Sequence, residues 1–325
     1  MKIRKRHFYI VLFLVVIIAA AIYFFRPVFK PIKPQEKDTI VWLVDKDGYL
    51  EYSLNRGDVL FNRQNYDETQ DLTISKVIFQ SAKGNVYGLL VLPKSASELL
   101  PGIVLLPGAG VSKESELKLA EKIAELGAAV LVIDQRGTGE TGGNFPTLDE
   151  DYQNFVSGEE PVQHIMVYDA LRAYDLMRNA PFTDSDRVII AGESLGGRIA
   201  VIATAIDRNI KGALIISSAG FDFKGGPDKD KNAFLQSIDS DHYIGLITPR
   251  KLVMLHNTND KIVPLSSAII SYQKAQEPKQ FVLVNDTTCN HGYCDSMYNG
   301  LVESLDYLVD IRSKTLVSVP DKPKN

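Results

Sequence analysis

From about residue 72 onward, short apolar runs rich in β-branched residues alternate with stretches of helical periodicity. Several runs are apolar at nearly every position, which is typical of strands buried on both faces of a parallel sheet. The gap between the first two runs has hairpin length, so we expect that pair to be antiparallel. This order predicts an α/β domain with an eight-stranded, mostly parallel sheet and helices on both faces. The eight predicted strands are Leu72–Gln80, Val86–Leu92, Ile103–Leu106, Ala129–Ile133, Arg187–Ala191, Ala213–Ser217, Lys251–His256 and Gln280–Asn285.

Helices are predicted in most of the intervals from the third strand on. The run 194–206 is apolar nearly all round, as in a helix packed deep against a sheet. Two segments, 139–163 and 220–248, break the rhythm, and we expect them to cross the carboxyl ends of the strands, where ligands bind. Their aromatic residues are read either as walls of an acyl pocket or as packing. Amphipathic spacing marks three more helices, at Leu119/Ile123/Leu126, Val167/Leu171/Tyr174 and Leu301/Leu305/Leu308.

The N-terminus carries a basic block followed by an apolar run from Phe8 to Phe25. As a helix this run would be about 27 Å long, close to the thickness of a bilayer core. We therefore predict a single transmembrane anchor within residues 1–25, with the N-terminus inside and the remaining chain extracytoplasmic. The alternative is a cleaved signal peptide, with Ala19–Ala21 as the cleavage site, and a secreted protein.

Composition divides the remaining chain and excludes some functions. Residues 26–38 are read as a linker rich in Pro and Lys, 39–71 as a leading segment, 72–313 as the main domain and 314–325 as a tail. The net charge is −4, and no long basic run follows the first residues, so we predict no nucleic-acid partner. The only cysteines, Cys289 and Cys294, leave no Cys/His set with zinc spacing, so we predict no metal.

The motif G-x-S-x-G occurs at residues 192–196, directly after an apolar strand and directly before an apolar helix. A turn this sharp strains the serine backbone and lifts the side chain of Ser194 to the helix N-terminus, where negative charge is favoured. The alternative interpretation is that the motif is only a tight glycine turn between strand and helix, with no catalytic role for the serine. The context makes Ser194 the predicted nucleophile.

A serine hydroxyl needs a general base, and the base needs an orienting carboxylate. His291 lies in a loop after the last strand, and Asp260 lies in the loop after the seventh strand. The chain order Ser194, Asp260, His291 is the order expected when all three meet at the carboxyl edge of the sheet. Asp286, just after the eighth strand, is the rival acid.

A tetrahedral intermediate also needs N–H donors for its oxyanion. The backbone N–H of Leu195 is the first predicted donor, because it follows the nucleophile. The small-residue loop Pro107–Gly110 supplies the second, for which we predict Ala109.

Residues 72–311 resemble the α/β-hydrolase superfamily, and within it the branch of dienelactone hydrolases, small esterases and the catalytic domains of prolyl-oligopeptidase-type peptidases. The resemblance rests on stretches 105–110, 134–139 and 192–197 and on the loops of Asp260 and His291. It implies that Asp134 and Arg136 are structural. Pro107 stands where the family often has a histidine.

We therefore expect a serine hydrolase that cleaves a small acyl or ester substrate through an acyl-enzyme and needs no cofactor. The alternatives are a peptidase, amidase or acyltransferase on the same fold, and a non-catalytic, membrane-anchored binding protein. Cys289 and Cys294 bracket His291, and in an exported protein they would form a disulfide that holds the histidine loop. Two ordinary thiols are the alternative.

Overall fold

The computed structural model describes residues 42–311, which contain two separate sheets. All eight predicted strands are present, and each lies within a few residues of its expected bounds. The strands are β1 Leu43–Val44, β2 Leu50–Glu51, β3 Phe61–Glu68, β4 Leu72–Ser81, β5 Gly84–Pro93, β6 Leu100–Leu106, β7 Ala129–Ile133, β8 Thr183–Glu193, β9 Gly212–Ile216, β10 Lys251–Asn257 and β11 Lys279–Val284.

The main sheet has nine strands in the order β11-β10-β9-β8-β6-β7-β5-β4-β3, and β1 and β2 pair separately. From β7 to β11 the neighbours are parallel, whereas β5, β4 and β3 add in antiparallel fashion, with β4 and β5 forming the predicted hairpin. The prediction of eight strands was wrong by one. Strand β3 was missed because it is polar and almost wholly exposed, as suits an edge strand.

Helices cover both faces of the sheet, as predicted, and each face has its own apolar cluster. Helices α3 and α4 contribute to one cluster, and α1 and α8 to the other. The helices are α1 Leu117–Glu125, α2 Leu148–Val156, α3 Val162–Arg178, α4 Leu195–Ile206, α5 Lys229–Ile238, α6 Ser240–Tyr243, α7 Leu265–Lys274 and α8 Tyr298–Val309, with 3-10 turns at Ile244–Ile247 and Asp295–Met297.

The two segments that break the strand–helix rhythm are partly helical and pack on each other. Phe155 of the first lies 5.6 Å from Phe234 of the second and 5.9 Å from Trp42, between ring centroids. Phe234 is fully buried. For these residues the packing interpretation is therefore correct, while Phe221 and Phe145 are exposed.

The predicted anchor at 8–25, the linker at 26–38 and the tail at 314–325 lie outside the described residues. Across residues 42–311, no helix is both long enough and apolar enough to cross a bilayer. The leading segment proves continuous with the main domain, because its strand β3 belongs to the main sheet.

Candidate active site

Ser194 occupies the sharp turn that the sequence predicts. Strand β8 ends at Glu193 and helix α4 begins at Leu195, so the serine alone connects them. Its backbone has φ 49° and ψ −115°, a strained conformation for a non-glycine residue, which costs about 1–3 kcal/mol. The end of β9 holds this conformation. The N–H of Ser194 donates to the carbonyl of Ile216 at 3.0 Å, and the Ser218 hydroxyl donates to the Ser194 carbonyl at 2.6 Å.

Close backbone approach explains the glycines of the motif. A Cβ at Gly192 would lie 2.3 Å from the backbone carbonyl of Gly196, and a Cβ at Gly196 would overlap the carbonyls of Leu106 and Pro107. The turn therefore packs directly on the loop that follows β6. On the other side of that loop, a Cβ at Gly108 would lie 3.5 Å from Cβ of Ser194, so the loop reaches the serine.

Both predicted oxyanion donors lie at this junction. Leu195 is the first residue of α4, and the first N–H groups of a helix have no acceptor within the helix. Ala109 is exposed in the loop beside Ser194. The amide of Gln135 donates to the Pro107 carbonyl and so supports this loop, a role that sequence reasoning missed. The two donors stay predictions.

His291 and Asp260 meet as predicted. Nδ1 of His291 lies 3.0 Å from Oδ1 and 2.9 Å from Oδ2 of Asp260. Because a carboxylate only accepts, Nδ1 carries the proton, and Nε2 is left as the basic nitrogen. The Asp260 side chain is fully buried, whereas that of His291 is 23% exposed.

The Asp260 carboxylate is stabilised in its charged form. Burial by itself raises its pKa, but the N–H groups of Val263 and Ile262 and the bond to His291 outweigh this and leave the pKa below its ordinary value. The two N–H groups donate to Oδ1 at 2.8 and 2.9 Å. Such a carboxylate can orient the imidazole and stabilise its protonated form.

The rival acid and the other histidine of this edge serve structural roles. Asp286 accepts from the hydroxyl and N–H of Thr288, and these bonds lower its pKa to about 2. It makes no hydrogen bond to His291 among the described residues. Nε2 of His256 lies 3.1 Å from the Val263 carbonyl, to which it donates.

The histidine loop is attached to the ends of β8 and β9. The N–H of Tyr293 donates to Oε1 of Glu193 at 2.7 Å, and the hydroxyl of Ser217 donates to the Gly292 carbonyl at 3.2 Å. Glu193 directly precedes Ser194, so this attachment joins the loop to the elbow. Sequence reasoning missed Glu193, although its place inside the motif was a signal.

Cys289 and Cys294 form a disulfide across the histidine loop, with Cα atoms 6.0 Å apart. The structure thus has the first of the two arrangements expected for this cysteine pair. The buried amide of Asn257 donates to the Cys289 carbonyl at 2.7 Å, so the start of the loop is also fixed to β10.

We expect the double substitution Cys289→Ala/Cys294→Ala to lower kcat by about tenfold, because displacement of His291, the predicted general base, would slow proton transfer. The free energy of unfolding should fall by about 2 kcal/mol, the value for a short closed loop. Ester hydrolysis and thermal unfolding measure the two effects. A kcat within twofold of wild type would contradict the role of the disulfide in holding His291.

Asp134 and Arg136 are structural, as the resemblance implies. Asp134 is fully buried and pairs with the Lys113 ammonium at 2.8 Å, and Arg136 donates two hydrogen bonds to Asp169 at 2.6 and 2.9 Å. Neither residue reaches the elbow. Lys113 was not foreseen, although a buried carboxylate requires a partner of this kind.

The strained serine between strand and helix, with a His–Asp pair at the same sheet edge, defines the α/β-hydrolase class. The chain belongs to the acetyl xylan esterase (AXE1) family, whose family model matches residues 32–225. The matched range includes Ser194 and ends before Asp260 and His291. The expected membership of the α/β-hydrolase superfamily is thereby confirmed, and the family is one of ester-hydrolysing enzymes.

Two bacterial relatives share part of the sequence. Uncharacterized protein YfhR of Escherichia coli O157:H7 is 24% identical over 177 residues, which cover 50% of this chain and 62% of the relative. YtaP of Bacillus subtilis (strain 168) is 27% identical over 202 residues, which cover 58% of this chain and 61% of the relative. The chain thus spans about three fifths of the length of the curated relatives it matches.

Solved structures share the fold at low sequence identity. The acetyl xylan esterase from Paenibacillus sp. R4 matches with a TM-score of 0.66 and 19% sequence identity. The match covers 78% of this chain and 90% of the esterase chain. Acetyl xylan esterase 1 from Thermoanaerobacterium sp. JW/SL YS485 matches with a TM-score of 0.62 and 15% sequence identity. This match covers 78% of this chain and 89% of the esterase chain.

Proposed function

We propose that this protein is a serine esterase that hydrolyses small carboxylic esters, acetyl esters among them. The observation that carries the proposal is the bond from Nδ1 of His291 to both oxygens of buried Asp260, in a loop attached to the residue before Ser194. The family match supports an ester substrate, and the name of the family supports the acetyl group.

In the proposed mechanism, Ser194 attacks the ester carbonyl while Nε2 of His291 takes its proton. Asp260 keeps the proton on Nδ1 and stabilises the imidazolium. The backbone N–H groups of Leu195 and Ala109 donate to the oxyanion. His291 then protonates the leaving alcohol, and a water molecule activated in the same way releases the acyl group from Ser194.

Two measurements on the wild-type protein test this function. We expect a fluorophosphonate probe to label one residue, Ser194, as located by peptide mass spectrometry. We also expect p-nitrophenyl acetate to be hydrolysed with a higher kcat/KM than longer acyl esters and the matched p-nitroanilides. Labelling elsewhere, or none, would refute the serine mechanism. Preference for the anilides would support an amidase, and acyl transfer to an added alcohol in preference to water would support a transferase.

A further inference from the structure

Two buried glutamates lie together beside the elbow. Glu193 is the last residue of β8, and Glu116 directly precedes α1 and is 6% exposed. Their carboxyl groups are hydrogen-bonded to each other. Two carboxyl groups form such a bond only when one of them carries a proton. Burial and the neighbouring Glu193 raise the pKa of Glu116 to about 9, so at neutral pH the proton resides on Glu116.

The other carboxyl group, that of Glu193, contacts the backbone of the histidine loop. Oε1 accepts the N–H of Tyr293 at 2.7 Å. Oε2 would lie 2.7 Å from a Cβ at position 292, and Gly292 has φ +75°. Glycine is therefore required there for two reasons, the backbone conformation and the space that Glu193 occupies. The residue before this glycine is His291.

Few ionisable side chains surround the pair formed by Glu193 and Glu116. In the described part of the chain, neither glutamate forms an ion pair with Lys or Arg, although a buried charge normally has such a partner. The ionisable groups that face Glu193 are Glu116, His291 and Tyr293. Burial raises the pKa of the Tyr293 phenol to about 12, so it stays neutral. Burial raises the pKa of Glu193, whereas the bonds from Tyr293 and Glu116 and the positive charge of protonated His291 lower it.

We propose that Glu193 is a positioning residue whose carboxylate fixes residues 291–293 against the elbow. Glu116 holds that carboxylate in place by donating a hydrogen bond. The inference rests on the proposed function, since Glu193 acts on the reaction only through His291.

The hydrogen bond between Glu116 and Glu193 predicts that kcat decreases at alkaline pH. When the pH rises through about 9, Glu116 loses its proton, and two adjacent buried carboxylates repel each other. The attachment of the histidine loop is then weakened, so kcat should fall with an apparent midpoint near that pH. This fall of kcat is the alkaline limb of the pH profile. Since Tyr293 titrates only at higher pH, its phenol does not account for the alkaline limb.

Three substitutions separate the roles. Glu193→Asp keeps the charge but is too short to reach the N–H of Tyr293, so we expect kcat to fall about tenfold with little change in KM. Glu116→Gln keeps a donor toward Glu193 but cannot ionise, so kcat at pH 7 should be retained and the alkaline limb should disappear. Glu125→Gln, at an exposed position on α1, is the matched control and should change neither.

A readout independent of activity is amide hydrogen exchange. The N–H of Tyr293 should exchange at least tenfold faster in Glu193→Asp than in wild type, while core amides of β8 stay protected. Unchanged exchange at Tyr293 overturns the proposal whether or not the protein is an esterase. If wild type labels at Ser194 and Glu193→Asp keeps its kcat, the positioning role alone is wrong. If wild type fails to label while exchange rises as expected, the proposed function is wrong and the structural attachment stands.

Discussion

Ser194→Ala should lower kcat for p-nitrophenyl acetate by about a millionfold, or roughly 8 kcal/mol, and should abolish fluorophosphonate labelling. In the proposed mechanism, the substitution removes the oxygen that forms the acyl-enzyme. The neighbouring Ser218 hydroxyl is already bonded to the Ser194 carbonyl at 2.6 Å, so we do not expect it to take over this role. Progress curves at enzyme concentrations high enough to detect residual hydrolysis measure the effect.

The controls for this substitution test both chemistry and strain. Ser115→Ala removes an exposed hydroxyl near α1 and should leave kcat unchanged. Ser194→Gly should be as inactive as Ser194→Ala but more stable by about 1 kcal/mol, because glycine tolerates φ 49°. A Ser194→Ala protein that keeps even a hundredth of wild-type kcat would place the nucleophile elsewhere.

The sequence predicts best those elements in which a single physical cause, such as burial on both faces, determines the residue type at every position. Strands such as Ala129–Ile133 are buried on both faces, so all of their residues are apolar, and the predicted bounds agree with the structure. The edge strand Phe61–Glu68 obeys no such rule. It buries almost nothing, and its pairing with β4 depends on backbone hydrogen bonds that leave no mark on composition.

The same distinction applies to the site. Ser194, Asp260 and His291 could be predicted because each proposed role demands one residue type at one strand end, in a fixed chain order. Gln135 and Glu193 escaped because their roles depend on which backbone groups a side chain reaches across the fold. The contact between Glu193 and Tyr293 joins residues 100 positions apart, which a single sequence cannot reveal.

Asp260→Asn should lower kcat by about ten-thousandfold, the largest loss expected outside Ser194 and His291. The asparagine amide can present its NH₂ group to Nδ1 of His291, which moves the proton to Nε2 and removes the base. The imidazolium also loses its negative partner. The matched control is Asp286→Asn at the same sheet edge, where the carboxylate bonds Thr288 and not the histidine, so kcat should change less than twofold.

The same pair of variants has a second readout in stability. The pKa of Asp260 in the folded protein lies below its ordinary value of 3.8, so its charged form stabilises the fold above that pH. This stabilisation is lost as the pH falls through the folded-state pKa. The difference in unfolding free energy between wild type and Asp260→Asn should therefore shrink as the pH is lowered below about 3.8. If Asp286→Asn instead shows the greater loss of kcat, the carboxylate that orients His291 is the rival acid.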